Sequence, residues 1–242
     1  MAMAAEHTVK SFDEELGNLR RLIARMGELA ENQLQIAIQA LIRRSTELAH
    51  QVMRDDAAID ELDQLVAAQV VRLLALRQPV ANDLRAIVAS LKISSDLERV
   101  GDYAANIGKR VITLAQTTQF QLPASLPRMG WLSERILREV MQAYGERDAA
   151  KADAARASDS EIDETYNGLF RELLTHMMED PRNIGPCTHL LFIARNIERI
   201  GDHATNIAES IHYMIKGEMP GGARLKGDST SFIAAPTEKA GA

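Results

Sequence analysis

The sequence predicts an all-α protein built as two tandem three-helix bundles related by internal pseudo-symmetry. Three observations carry this. A sixteen-residue stretch occurs twice, at 93–108 (ISSDLERVGDYAANIG) and 193–208 (IARNIERIGDHATNIA), offset by 100 residues without a gap and identical at eight positions. Such self-similarity marks an internal duplication. Apolar residues recur at three- and four-residue steps through most of the chain, which is the helical period. Aromatic residues make up only 4% against 46% hydrophobic, and the abundance of Ala, Leu, Ile, Glu and Arg favours helix.

The elements follow in order. Residues 1–8 read as a frayed start. A first helix is predicted over 12–48, where Leu16, Leu19, Ile23, Met26, Leu34, Ile38 and Leu41 keep the period. A second is predicted over 55–76 through Ile59, Leu62, Val66, Val70 and Leu73, and it ends at Gln78-Pro79 because proline disfavours helix in the residue before it. Asn82-Asp83 offer caps for a third helix, which runs to about residue 115. Two prolines in QFQLPASLP place a boundary at 119–127. Helices over 129–149, 158–178 and 184–215 then repeat the arrangement, with Asp180-Pro181 separating the last two. The predicted units are a first bundle at 8–120, a second at 127–217 and a flexible tail at 218–242, which is rich in Gly, Pro, Ser and Thr.

Composition narrows the function. A formal net charge of −6 over 242 residues argues against a general nucleic-acid binder, which needs a basic face. Cys187 is the single cysteine, so no intrachain disulfide can form and a reducing compartment is expected. The first residues lack the apolar stretch of a signal peptide, and no apolar run approaches the ~20 residues of a membrane-spanning helix. The expected location is the cytoplasm.

The duplicated stretch carries the candidate chemistry. Each copy places Glu, Asp and Asn at i, i+4 and i+8, as Glu98, Asp102 and Asn106, then Glu198, Asp202 and Asn206. On a helix these side chains form one strip. At about 100° per residue the strip lies nearly opposite the apolar stripe Leu97, Val100, Ala104, Ile107 and Val111, so the acids are expected on an outer face, with Gly101 and Gly201 keeping one flank open. Helix two adds Asp56, Asp60 and Gln64, and its counterpart adds Asp159, Asp163 and Asn167. Clustered carboxylates repel one another unless protonated, paired or metal-bound, and oxygen donors suit hard cations such as Mg²⁺, Mn²⁺, Ca²⁺ or iron. One cysteine and no His/Cys ligand spacing argue against structural zinc. Arg99 and Arg199 are expected to pair with the neighbouring acids or with a partner, and His203 reads as a surface histidine. A di-iron enzyme needs paired Glu-x-x-His motifs, and only Glu47–His50 fits, without a mate. No P-loop, dinucleotide fingerprint or nucleophile elbow is present. The sequence does not read as an enzyme.

The residues of these motifs also carry a resemblance. Leu97-Glu-Arg-Val-Gly-Asp102 with Asn106-Ile107, and Ile197-Glu-Arg-Ile-Gly-Asp202 with Asn206-Ile207-Ala-Glu209, are similar to the paired signature of the PhoU family. So are Arg77-Gln-Pro-Val80 with Asp83-Leu-Arg85, and Phe12-Asp-Glu-Glu-Leu16 with Met26-Gly27. The resemblance spans about residues 8–217. It implies two similar three-helix bundles that bind metal through E(D)xxxD motifs. Glu98, Asp102, Glu198 and Asp202 would be the first ligands, and Asp56, Asp60, Asp159 and Asp163 a second tier. The metals it implies are oxygen-seeking ions, with Mg, Mn, Fe and Zn as candidates. The first copy has Lys109 where the second has Glu209, so the two sites are not expected to bind metal equally.

The resemblance further implies a negative regulator of the bacterial phosphate-starvation response. Its partners would be the ATPase of the phosphate-specific ABC transporter and the phosphate-sensing histidine kinase. It would meet membranes only through those complexes, bind no nucleic acid, and leave a homodimer open. The alternative is a metal-dependent helical enzyme using the same carboxylates.

Overall fold

The computed structural model describes residues 2–117 and 121–221, with side chains from Phe12 onward. The helices are α1 (Ala2–Arg43), α2 (Thr46–Arg77), α3 (Ala81–Ala115), α4 (Ser125–Glu146), α5 (Ala149–Ala157), α6 (Ser160–Glu179) and α7 (Ile184–Lys216), with one 3-10 turn at Pro181–Asn183 before α7. No strand occurs among the described residues.

Local chemistry moves several boundaries from where periodicity places them. Helix α1 runs from Ala2 and stops at Arg43, short of residue 48. Arg44 adopts the left-handed region at φ 51. Ser45 then caps α2, its Oγ accepting from the Leu48 amide at 3.2 Å, which satisfies one of the orphan donors of a helix start. The cap of α3 is Val80, in extended backbone with no side-chain bond, not Asn82-Asp83. Helix α4 starts inside the predicted break because Pro127 falls in its first turn, where the missing N–H has no intrahelical partner to lose. The helix expected over 158–178 is α6, and a short additional helix, α5, precedes it in the gap left after the helix expected over 129–149. Asp148 caps α5 by accepting from the amides of Ala150 and Lys151, and α5 with α6 together occupy the place that α2 holds in the first repeat. The predicted boundary at 119–127 lies partly outside the described residues, as does the tail from 222 onward.

The apolar stripe of α3 (Leu97, Val100, Ala104, Ile107, Val111) is buried, and so is its counterpart on α7 (Ile197, Ile200, Ala204, Ile207, Ile211). Helices α1, α2 and α3 pack on one another, and α7 packs on α4, α5 and α6. The most extensive helix pair in the molecule joins the repeats, α3 against α7. Arg110 meets His189 and Phe192, Tyr103 meets Arg199, Asp96 meets His203 and Asn206, and Arg85 lies against Gly217. One number falls as the other rises, so α3 and α7 run antiparallel.

Helices α1 and α4 form a second antiparallel pair. Met141 fills the notch over Gly27, and Ile38 fills the notch over Gly130. These two contacts are copies of one another, each residue of α4 standing 103 positions after its counterpart in α1. The two bundles meet in one continuous core.

Glycine usage gives a test of this packing. A methyl group on Gly108 would stand 3.0 Å from the Ala49 carbonyl oxygen, which is backbone and cannot rotate away. A methyl group on Gly168, within α6, would meet nothing within 4 Å. Replacing an unconstrained helical glycine by alanine stabilises by about 1 kcal/mol, whereas overpacking a tight contact costs about 1–3 kcal/mol. Thermal unfolding followed by circular dichroism should show a higher midpoint for Gly168→Ala and a lower one for Gly108→Ala. A higher midpoint for both would mean that α2 and α3 are less tightly apposed than described.

Candidate functional site

The acid strip of α3 meets the strip of α2 because of one missing side chain. A methyl group on Gly101 would lie 3.1 Å from each of Asp56 Oδ1, Gln33 Oε1 and Ile59 Cδ1. With glycine there, α2 lays Asp56 directly against α3, one turn from Glu98 and beside Asp102. The second repeat reproduces this: a methyl group on Gly201 would lie 2.7 Å from Asp159 Oδ1 and 2.9 Å from Ile162 Cδ1. The flank expected to stay open is thus filled by α2 and by α6. The outer-face expectation for the acids fails for the same reason. Glu98 and Asp102 are half-buried, and Glu198, Asp163 and Asp159 are only 5%, 5% and 7% exposed.

The first cluster is only partly compensated, by Arg99 and by the Lys109 charge acting on Asp56. Burial raises the Asp56 carboxyl above its ordinary range, opposed by a hydrogen bond from Gln33 and reinforced by the charges of Asp60 and Asp102. Burial also raises Glu98, with Asp102 adding to it and Arg99 opposing. Arg99 bonds Asp102 through Nη1 at 3.1 Å and reaches Glu98 through Nε at 3.5 Å, but its side chain is 55% exposed. Ion pairs this open contribute at most about 1 kcal/mol. Gln33 is held from two sides, its Nε2 donating to the Val52 carbonyl and to Asp56 Oδ1, both at 3.1 Å. Asp60 is exposed on the rim.

In the second cluster Glu198 Oε1 accepts from Arg195 Nη1 at 3.0 Å, and the Arg195 guanidinium lies 5.7 Å over the Tyr166 ring. Glu209 accepts from Arg156 at 2.9 Å. Arg199, expected beside the motif acids, instead donates to the Tyr103 hydroxyl at 3.2 Å and covers that ring at 5.8 Å. His203 is no free surface histidine: its Nδ1 lies 2.8 Å from Asp96 Oδ1, and its ring stacks 5.6 Å from Tyr103. Sequence reasoning missed Gln33 and Arg195. The signal for Gln33 was a polar residue at a core position of the stripe Met26, Ala30, Gln33, Ala37, Ala40. The signal for Arg195 was a cation three residues before Glu198, the i,i+3 spacing of facing helix residues.

The predicted ligands therefore gather as Asp56, Glu98 and Asp102 with Asp60 at the rim, and as Asp159, Asp163 and Glu198 with half-buried Asp202 on the same helix. Among the described residues, no three His, Cys, Asp or Glu side chains form a group that could hold a metal ion. The donors nonetheless fit a hard cation in kind. They are all oxygens, and in the first cluster burial and neighbouring carboxylates already disfavour the ionised forms of Asp56 and Glu98, a cost that a bound cation would relieve.

Comparison with known proteins gives this arrangement a family. The model of the PhoU domain matches residues 23–111 and again residues 126–211. The chain is 47% identical over 237 residues to a phosphate-specific transport system accessory protein PhoU homolog from Rhizobium meliloti (strain 1021), covering 98% of this chain and 100% of that protein. It is 51% identical over 214 residues to a homolog of the same name from Caulobacter vibrioides (strain NA1000 / CB15N), covering 88% and 93%. The crystal structure of PhoU from Pseudomonas aeruginosa matches with a TM-score of 0.83 and 37% identity, over 86% of this chain and all of that one. The phosphate transport system regulatory protein PhoU from Streptococcus pneumoniae matches with a TM-score of 0.80 and 33% identity, over 87% and 99%. No described helix is long and apolar enough to cross a membrane. Two copies of one domain, matched over most of the chain, with the acid–glycine motif at the centre of each, place this chain in the PhoU family.

Proposed function

We propose that this protein is a cytoplasmic negative regulator of the phosphate-starvation response. It links the ATPase of the phosphate-specific ABC transporter to the phosphate-sensing histidine kinase, and its two acid clusters take up oxygen-seeking metal ions. The observation that carries the reading is the repetition of one geometry. In each repeat a glycine admits an aspartate from the neighbouring helix against a Glu-x-x-x-Asp strip. Relatives named as accessory proteins of phosphate transport supply the context. The family is an accessory one, so the metal-dependent enzyme considered above is not retained.

In this reading Glu98, Asp102, Asp56 and Asp60 hold metal in the first repeat, and Glu198, Asp202, Asp159 and Asp163 in the second. The units 8–120 and 127–217 each carry one site. A metal supplies positive charge to a cluster that otherwise repels itself. Electrostatic complementarity chiefly sets partner choice and association rate, so loading a cluster changes which charged surface the protein can meet.

The regulatory role is tested by neutralising the acids without changing their shape. Glu98→Gln/Asp102→Asn and Glu198→Gln/Asp202→Asn should each give a folded protein that represses poorly. Cells carrying either pair should express a starvation-promoter reporter in phosphate-rich medium, with soluble protein at the wild-type level. Full repression by both pairs and by the quadruple variant would remove the acid clusters from the mechanism.

The raised carboxyls give a pH signature. Because Asp56 and Glu98 hold their protons more tightly in the folded protein than in the unfolded chain, the folded state binds more protons just above the ordinary carboxylate range. Stability contributed by this cluster should rise as pH falls through the raised values and be lost at neutral pH. Removing the Asp56 charge should therefore raise the melting temperature at pH 7 and leave it nearly unchanged at pH 4. An Asp56→Asn protein with equal shifts at both pH values would show that the aspartate is not strained by its charge.

A further inference from the structure

The two repeats share a backbone plan but not the polar content of their acid clusters, and the difference lies on α1. Arg44 and Arg147 both take left-handed φ, and Ser45 and Asp148 cap the next helices, in each case 103 residues apart. Gly27 and Gly130 hold the reciprocal notches at the same offset, as do Asp56 and Asp159 against the central glycines. On this register the counterpart of Gln33 is Ile136. Ile136 is fully buried and apolar. Gln33 is 1% exposed and polar.

The orientation of the Gln33 amide is fixed by its partners. Its Nε2 faces two acceptors, the Val52 carbonyl and Asp56 Oδ1, so the other atom is the carbonyl oxygen. That oxygen is buried and has no hydrogen-bond partner. It lies 3.1 Å from the point where a Gly101 methyl group would be, as does Asp56 Oδ1, so it opens into the acid cluster. A buried acceptor without a partner costs stability, and the sister repeat demonstrates that isoleucine fills the equivalent place. Tethering Asp56 explains the amide nitrogen but leaves the oxygen without a role. What completes an isolated carbonyl oxygen beside carboxylates is a cation.

We propose that Gln33 is a ligand of the first acid cluster, supplying a neutral amide oxygen beside Asp56, and that the two repeats therefore bind hard divalent cations as unlike sites. This rests on the metal-binding reading above and adds to it a donor from a third helix. Three carboxylates do not stand ready as a group, and the amide oxygen supplies a donor that needs no further negative charge. The neighbouring difference points the same way. Lys109 donates to Asn106 at 3.1 Å beside the first cluster, where the second repeat has Glu209 paired to Arg156.

The test uses the metal-stripped full chain and Mn²⁺, read by the loss of free-ion paramagnetic resonance and by the Mn²⁺-induced shift of the melting temperature. A Glu198→Gln/Asp202→Asn background isolates the first site. In that background Gln33→Ile should weaken Mn²⁺ binding at least about tenfold, as loss of a ligand-shell partner commonly does. The metal-free melting temperature should rise, because an orphan polar group has been removed. Gln33→Glu should bind Mn²⁺ at least as tightly as the parent. Gln33→Met serves the same purpose if the isoleucine variant fails to accumulate. Unchanged Mn²⁺ affinity in the folded Gln33→Ile or Gln33→Met protein overturns the inference while leaving the metal reading intact. Failure of the parent and of the wild-type chain to bind Mn²⁺ or Mg²⁺ overturns both. A lowered metal-free melting temperature with unchanged affinity assigns Gln33 to structure alone.

Discussion

Everything at the acid clusters depends on how closely α2 approaches α3, and α6 approaches α7, at a single glycine in each repeat. With any side chain at Gly101 or Gly201, the carboxylates of Asp56 and Asp159 would have to withdraw. A helical glycine costs about 1 kcal/mol relative to alanine. Here that cost is set against bringing like charges together, which is itself unfavourable. Two unfavourable choices at one place, made twice in the chain, are hard to account for by packing alone.

The frame that holds these clusters is symmetric, and its symmetry comes from antiparallel pairing. Helices α3 and α7 pair along their whole lengths, and α1 and α4 exchange Ile38 and Met141 into reciprocal glycine notches. The polar contacts laid over this frame are not symmetric. His203 bridges to Asp96, and Arg199 caps Tyr103. Arg110 lies 4.3 Å over Phe192 and against His189, whose imidazole is pushed down by burial and by that guanidinium. Packing surfaces must match to be buried, so duplication constrains them together. Half-exposed polar side chains are under no such constraint, and the repeats have diverged there as well as at buried Gln33 and Ile136.

The fold was largely legible in the sequence, and the site only by halves. A 3.6-residue period and a gapless repeat suffice for helices and their pairing in order, because both depend on which residues are apolar. Periodicity could not find the break at Arg44-Ser45, since the apolar positions continue through it and only the left-handed backbone and the serine cap mark it. It did not find α5, a nine-residue helix whose start is marked by the Asp148 cap. The acid strips were visible as spacing, but their burial was not. Whether a strip opposite the core faces water depends on a neighbouring helix, and the glycines read as leaving a flank open are what lets that helix close it. Gln33 stood out only as a polar residue in an apolar stripe, because what it faces is set by Gly101, 68 positions away in the sequence and adjacent in space.

The two clusters also resolve their charge differently, and this decides where the protein can respond. The second is buried, and Glu198 is fixed by an Arg195 that is itself stacked on Tyr166. Only the carboxylate side of this pair is buried, the Arg195 side chain being 38% exposed, and losing the arginine would strand Glu198. The first is half-solvated. Its arginine is mostly in water, Asp56 and Glu98 are pushed toward protonation, and its one buried neutral donor has an unused oxygen. A site already held by fixed internal pairs changes little when protons or cations become scarce. A site left short of positive charge changes a great deal. The repeats thus differ in how their acids are compensated: Arg195 and Arg156 pair with Glu198 and Glu209 in the second, whereas an exposed Arg99 serves both Glu98 and Asp102 in the first.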